Sequence, residues 1–330
     1  MKKNEINSGF ESSANGYERG LSYVVTAKEM LENDIREVPM LWGHLIPKNG
    51  IALLSGNSDT GKSSLMRQFG CAVVKGEGNF LSLELFPDYG SVIYVSTEDD
   101  YYSLSARFKM EYEYDTTVKG LENFRYIFNY KDDKLSSILD DELRSQPADC
   151  VIIDALGDVI PTDPNNIINV RNFYSDYQYL TKKHGCPVIF VHHNRKSSDN
   201  YKANKSDVSG SQALEAKPRA VLMLSEIKES EKVKELKLVK ANYVHGEMKK
   251  HTLVVEMDGN GLFRLSDNSG GGSFSQSHVP DHDLLIKKKI KELKKSGCST
   301  RDISSELKNQ GISISKSSVA RKLNDDQEYV

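Results

Sequence analysis

One stretch of the chain has residues whose types and spacing fit phosphate binding. It matches the pattern G-x-x-x-x-G-K-[ST], in which glycines let backbone N–H groups surround phosphate oxygens. The residues are Gly56, Asn57, Ser58, Asp59, Thr60, Gly61, Lys62, Ser63 and Ser64. In this pattern the lysine reaches the β- and γ-phosphates and the next hydroxyl binds Mg²⁺, which are the roles of Lys62 and Ser63. The predicted chemistry is binding and hydrolysis of a nucleoside triphosphate.

The segments on either side of this loop can position it. Residues 51–55 are a short apolar run that predicts a buried strand, and residues 63–74 predict a helix with one apolar face. A strand, a glycine loop and a helix in this order place the loop at a helix N-terminus, which favours an anion. The alternative is a chance glycine turn, and the match of both flanks argues against it.

Hydrolysis also needs an acid that holds the metal and a group that orients water. Candidates follow three further predicted strands, at residues 91–96, 150–153 and 187–191. Ligands in such sheets bind at the carboxyl ends of strands. We therefore predict that Asp154 holds Mg²⁺, that Glu98 orients the attacking water and that His193 senses the γ-phosphate. The alternatives are a turn aspartate at 154, an N-cap cluster at Asp99 and Asp100, and a structural histidine.

The order of the predicted elements indicates the fold class. Strands alternate with helices, and the strands are continuously apolar, which is typical of a mostly parallel sheet covered on both faces. The later strands, at residues 220–224, 236–240 and 252–257, follow one another through shorter connections. This predicts an antiparallel far edge. The predicted class is α/β, with a small all-α domain after the sheet.

Composition divides the 330 residues into four predicted parts. Residues 1–20 predict a disordered lead, residues 21–266 an ATPase domain, and residues 267–281 a flexible linker rich in glycine and serine. Residues 282–330 predict a small helical domain. The net charge of −3 says little about partners.

Membrane insertion and secretion are not expected. No apolar run is long enough to span a bilayer, and none typical of a secretory signal follows the first residues. The spacing of the cysteines is not that of a metal site, so we expect reduced, buried thiols in a cytoplasmic protein. The cysteines are Cys71, Cys150, Cys186 and Cys298.

The C-terminal part is basic and has the pattern of three short helices. Ser299 is the predicted N-cap of the second helix, and Gly311 begins the turn before the third. The sequence of this C-terminal part resembles the helix-turn-helix of resolvases and small regulators. Its third helix would present Lys316, Ser317 and Arg321 to the major groove of duplex DNA. A helical docking domain with solvated lysines is the alternative.

Taken together, the ordered motifs of residues 24–265 resemble the RecA-like ATPases of the RepA type. These are hexameric replicative helicases of plasmids, with relatives on other mobile elements. The resemblance rests on the phosphate loop, Ser96–Asp99, Val151–Asp154, Val191–Asn194, Val208–Leu214 before Arg219, and Val239–Tyr243.

The resemblance implies ATP as the nucleotide, bound between the subunits of a hexameric ring. Glu98 would be the catalytic carboxylate and Asp154 the metal-holding acid. His193 would link the γ-phosphate to a loop that binds DNA.

Further roles are implied for residues late in the same region. Arg219 would act as an arginine finger on the neighbouring subunit's nucleotide, with Lys240 near that interface. The alternative for Arg219 is capping of a strand. Arg107 and Tyr243 match positions that sandwich the adenine base.

The segment at residues 196–207 departs from the family pattern. Asn194, Arg195 and Lys196 replace small polar residues, and the segment is long and polar. Its lysines, Lys196, Lys202 and Lys205, would contact the phosphates of single-stranded DNA in the ring channel. A solvated surface loop is the alternative.

The sequence as a whole predicts an ATP-driven DNA motor, a replicative helicase or helicase-like protein of a plasmid or mobile element. The first alternative is an ATP-switched DNA-binding regulator, or a partitioning or recombination accessory factor, with slow hydrolysis. A recombinase-like filament is the second, but the lead has no clear polymerisation motif.

Overall fold

The computed structural model describes residues 24, 26–33, 35–112, 119–128, 134–160, 166–194, 212–227, 230–244, 252–266, 293–294, 299–300 and 302–303. The chain forms two compact units, Met1–Ser269 and Gly270–Val330. The predicted lead, the linker and most of the predicted helical domain lie outside the described residues. The domain boundaries therefore stay predictions.

The strands of the described residues lie mostly in the first unit's central sheet. They are β1 (Met40–Trp42), β2 (Ile46–Pro47), β3 (Ile51–Gly56), β4 (Asn79–Phe80), β5 (Leu83–Glu84), β6 (Val92–Ser96), β7 (Phe124–Ile127), β8 (Cys150–Asp154), β9 (Val188–His193), β10 (Ala220–Ile227), β11 (Ser230–Ala241), β12 (Thr252–Met257) and β13 (Phe263–Leu265).

The α-helices of this unit alternate with the strands. They are α1 (Ala27–Glu32), α2 (Lys62–Lys75), α3 (Tyr101–Glu111), α4 (Leu135–Ser145), α5 (Leu156–Val159), α6 (Ile167–His184) and α7 (Gln212–Ala216). A 3-10 helix, Leu121–Asn123, precedes β7. No helix in the described ranges is long and apolar enough to cross a membrane.

The central sheet has nine strands in the order β13-β12-β11-β10-β3-β9-β8-β6-β7. The six strands from β10 to β7 run parallel to one another. The strands β11, β12 and β13 pair antiparallel at the other side. The predicted α/β class, with a mostly parallel sheet and an antiparallel edge, is confirmed.

The apolar runs of the sequence explain why the parallel strands lie inside. Every residue of β3, β6 and β8 is buried, as expected for strands with helices on both faces. Cys71, Cys150 and Cys186 are buried free thiols, as predicted for these three cysteines.

The register of the sheet decides which strand ends meet. Gly56 at the end of β3 lies opposite His193 of β9, and Ser96 at the end of β6 lies opposite Asp154 of β8. The phosphate loop, Glu98, Asp154 and His193 therefore emerge at one edge, which we call the carboxyl edge.

Candidate functional site

The phosphate loop is built around two glycines that no other residue could replace without movement. A Cβ on Gly56 would lie 2.4 Å from the carbonyl oxygen of Leu224 on β10. Gly61 is the N-cap of α2 with a φ of +88°, and its Cβ would lie 2.7 Å from Cζ of Phe263. A φ in this range favours glycine. The two glycines of the sequence pattern are thus required by the surrounding packing.

Lys62 lies inside the loop, with only 2% of its surface exposed. Its Nζ donates to the carbonyl oxygen of Asn57 at 2.6 Å. Burial lowers the pKa of Lys62 to about 8, and the negative charges of Asp154, Glu98 and Asp59 oppose this shift. The lysine is therefore held among the acids of the carboxyl edge, where it carries a positive charge at neutral pH.

Asp154 ends β8 with its carboxylate buried and its two oxygens in different surroundings. Tyr94 donates its hydroxyl to Oδ2 at 2.5 Å, whereas Oδ1 has no hydrogen-bond partner among the described residues. Thr97 holds the backbone, because its N–H donates to the Asp154 carbonyl at 2.8 Å.

A buried carboxylate oxygen without a partner suits a cation, and Mg²⁺ takes oxygen ligands. The negative charge of Asp154 acts on Lys62, the residue before Ser63. Oδ1 of Asp154 therefore suits the predicted Mg²⁺ site, and the Ser63 hydroxyl stays a predicted ligand.

Glu98 and His193 approach each other from neighbouring parts of the carboxyl edge. Nε2 of His193 lies 3.4 Å from Oε1 of Glu98, and neither histidine nitrogen has a hydrogen-bond partner in the described ranges. Partial burial raises the pKa of Glu98; the histidine opposes this shift and Asp154 adds to it. A carboxylate with a raised pKa beside the phosphate loop suits the orientation of a water molecule.

Asn194 fixes the end of β9 against the phosphate-binding strand. Its backbone N–H donates to the Gly56 carbonyl at 2.9 Å, and its side-chain oxygen accepts from the Ser55 hydroxyl. These two hydrogen bonds join the end of β9 to Ser55 and Gly56, where the phosphate loop begins.

Arg219, Lys240 and Tyr243 lie together at the opposite end of the strands, which we call the amino edge. The Arg219 N–H donates to the Ile51 carbonyl at 2.7 Å, at the start of β3. Its guanidinium carbon lies 5.7 Å from the centre of the Tyr243 ring. Lys240 is on β11 opposite Val221 of β10, and its Nζ donates to the Glu215 carbonyl at 2.5 Å.

Comparison with known proteins identifies the family. The family model AAA_25, described as an AAA domain, matches residues 20–199, which is more than half of the 330 residues. The chain belongs to this family. No curated protein matches the sequence.

A solved structure supports the fold of this AAA_25 member. A solved ATPase domain of another protein matches it with a TM-score of 0.52 and 13% identity, over 73% of this chain and 96% of that chain. The crystal structure of the RadB recombinase has a TM-score of 0.46 and 15% identity, over 69% of this chain and 93% of that chain. The protein is a P-loop ATPase with a RecA-like fold, as the sequence predicts.

Arg107 and Tyr243, the two residues of the predicted adenine sandwich, lie far apart within one chain. Arg107 is on α3, next to Asp99 at 3.6 Å, whereas Tyr243 follows β11. Four strands separate β11 from β6, the strand before α3, which is roughly 24 Å at the usual strand spacing. Arg107 and Tyr243 could face one base only from two different chains, so the sandwich stays a prediction.

The aromatic side chain that does adjoin the phosphate loop is Phe263, which the sequence analysis missed. Its ring packs at Gly61, and its backbone exchanges two hydrogen bonds of 2.8 Å with the Gln68 side chain of α2. Tyr94, which holds Asp154, was missed as well. A polar group at an inward position of an otherwise apolar strand was the available signal for Tyr94.

The structure does not describe the residues of the predicted DNA contacts. Lys196, Lys202, Lys205, Lys316, Ser317 and Arg321 lie outside the described residues. In the second unit, the Ser299 hydroxyl donates to Asp302 Oδ2 at 2.6 Å, and the Asp302 N–H donates back to the Ser299 hydroxyl at 3.3 Å. This is the arrangement expected of the predicted N-cap at Ser299.

Proposed function

We propose that this ATPase hydrolyses ATP between identical subunits of a ring and uses the turnover to move along or remodel DNA. The observation that carries the proposal is the separation of the predicted site residues onto two edges of one sheet. Lys62, Glu98 and Asp154 lie at the carboxyl edge, whereas Arg219 lies at the amino edge. Within the described part of one chain, the phosphate site is therefore far from the arginine that the resemblance to RepA-type ATPases assigns to it.

Distance supports a contribution from a second chain. The strand β3 separates Ile51, which Arg219 contacts, from Gly56 at the start of the phosphate loop. Five steps along a parallel strand span roughly 17 Å. A head-to-tail contact between copies brings unlike surfaces together and closes into a ring when the rotation allows. Such a contact would place the amino edge of one subunit against the carboxyl edge of the next.

Each residue then has a distinct task in hydrolysis. Lys62 binds the phosphates, and Glu98 orients the attacking water, beside His193. Mg²⁺, when held by Ser63 and Asp154, would neutralise charge on the phosphate oxygens. Arg219 of the neighbouring subunit stabilises the charge that spreads over the γ-phosphoryl oxygens in the transition state.

The proposed action on DNA rests on the family resemblance and on basic residues. The lysines of residues 196–207 follow His193 and Asn194, so nucleotide state and DNA contact would be connected through the end of β9. The basic tail would bind duplex DNA, and the segment 196–207 single strands in the channel. We propose a hexamer that works in the cytoplasm for a plasmid or another mobile element.

Mixing two inactive variants tests whether ATP lies between subunits. Arg219→Ala and Glu98→Gln should each abolish turnover alone. In rings mixed from equal amounts, about one quarter of the interfaces pair the intact nucleotide site of an Arg219→Ala subunit with the intact Arg219 of a Glu98→Gln subunit. Activity should therefore return.

The matched control mixes Lys62→Ala with Glu98→Gln. Both changes damage the same nucleotide site, so no interface of this mixture has an intact one and no activity should return. If the Arg219→Ala mixture also stays inactive while its subunits are shown to co-assemble, Arg219 does not act on the neighbour's nucleotide.

A further inference from the structure

The two oxygens of Asp154 are held unequally by the strand beside it. Tyr94 is on β6, paired with Ile152 of β8, and its side chain is 1% exposed. Its hydroxyl donates to Oδ2 of Asp154 at 2.5 Å. Oδ1 is buried and has no hydrogen-bond partner within the described part of the chain. The carboxylate therefore has one satisfied oxygen and one that is open to a ligand.

We propose that Tyr94 is a positioning residue that fixes the Asp154 carboxylate so that Oδ1 alone is presented to Mg²⁺. This inference rests on the proposed Mg²⁺-ATP site. The terminal torsion of an aspartate side chain is broad, and a free carboxylate can rotate or bind a cation through both oxygens. A hydrogen bond to one oxygen removes this freedom. Hydrogen bonds of this kind to metal ligands commonly set metal affinity.

The surroundings of Tyr94 keep its hydroxyl in place. Its ring packs against Tyr126, with centroids 5.2 Å apart, and against Phe124 at 6.2 Å. The backbone after Asp154 is held by the residue that follows β6, because Thr97 Oγ1 accepts from the Ala155 N–H at 2.8 Å. Tyr94 of β6 thus orients the side chain of Asp154, and Thr97, the residue after β6, holds its backbone.

The direct test measures Mn²⁺ binding to the full-length protein with ADP, by electron paramagnetic resonance. Tyr94→Phe removes the hydroxyl and keeps the ring. We expect Mn²⁺ to bind about tenfold more weakly or worse, because the acid loses its orientation. ADP binding in the presence of EDTA should not change, since the Tyr94 hydroxyl acts on Asp154 and not on the phosphates in the proposed site.

Tyr126→Phe is the matched control. Tyr126 lies opposite Tyr94 on β7, and its buried hydroxyl has no hydrogen-bond partner among the described residues. This variant loses a buried hydroxyl that makes no hydrogen bond to Asp154, so it should bind Mn²⁺ like the wild type.

A double variant tests whether Tyr94 acts through the acid. Asp154→Asn removes the buried carboxylate on which Tyr94 is proposed to act. In this background Tyr94→Phe should have no further effect on Mn²⁺ binding. Equal Mn²⁺ affinity in the wild type and Tyr94→Phe would overturn the inference, as would a full effect in the Asp154→Asn background. A wild type that binds no Mn²⁺ with ADP would instead contradict the proposed function itself, and the inference with it.

Discussion

Arg67 and Glu111 form an ion pair that is almost completely enclosed in the ATPase unit. Their side chains are 1% and 4% exposed. Arg67 Nε donates to Oε2 of Glu111 at 3.2 Å, its NH2 group contacts Oε1, and NH2 also donates to the Ser64 hydroxyl at 3.0 Å. Burial opposes the charge of Arg67, but the hydrogen bonds and charge of Glu111 outweigh it and raise the arginine pKa. This ion pair therefore joins α2 to the end of α3.

Glu111→Gln keeps the shape of the side chain and removes its charge. The guanidinium of Arg67 then stays buried without a counter-charge, so we expect the free energy of unfolding to fall by about 3–5 kcal/mol. For a unit of this size the melting temperature should fall by roughly 10 °C. Urea and thermal unfolding of the full-length protein measure both quantities.

Two comparisons separate this effect from a general loss of surface charge. Asp141→Asn breaks the exposed pair with Arg144, whose side chains are 75% and 60% exposed, and should cost less than about 1 kcal/mol. Arg67→Met combined with Glu111→Leu should recover much of the loss, because no buried charge is left unpaired. A Glu111→Gln protein within about 1 kcal/mol of the wild type would refute the reasoning.

Three further predictions concern the site and the tail. Glu98→Gln should bind ATP and lose hydrolysis, and normal turnover in that variant would remove Glu98 from the catalytic role. Because the pKa of Lys62 is lowered to about 8, the lysine is protonated below that pH and neutral above it; ATP affinity should therefore fall by up to about tenfold per pH unit above pH 8. Binding titrations that stay flat up to about pH 9.5 would contradict this. Deletion of residues 277–330 should weaken binding to duplex DNA and leave basal hydrolysis unchanged, so an unaltered duplex affinity would exclude the tail as the DNA-binding part.

The carboxyl edge could be predicted because its signals are local. The phosphate loop is a contiguous pattern, and Glu98, Asp154 and His193 each follow an apolar strand. Parallel strands end at the same edge, so the edge that carries these side chains could be predicted once the strands were assigned. No knowledge of the order of the strands was needed for this.

The remaining features depend on strand order and on long-range packing. Nothing in the sequence says that β3 lies between β10 and β9, and this order puts Arg219 beside Ile51 at the start of β3. The contact of Phe263 with Gln68 joins residues 195 positions apart.

Steady-state ATP hydrolysis without DNA, with single-stranded DNA and with duplex DNA tests the central claim most directly. Lys62→Ala, which should be inactive in all three conditions, is the control for contaminating ATPases. The proposed motor predicts strong stimulation by single strands, with residues 196–207 in contact with them. Slow turnover that is the same with and without DNA would contradict the motor and favour an ATP-switched regulator that binds DNA through its tail.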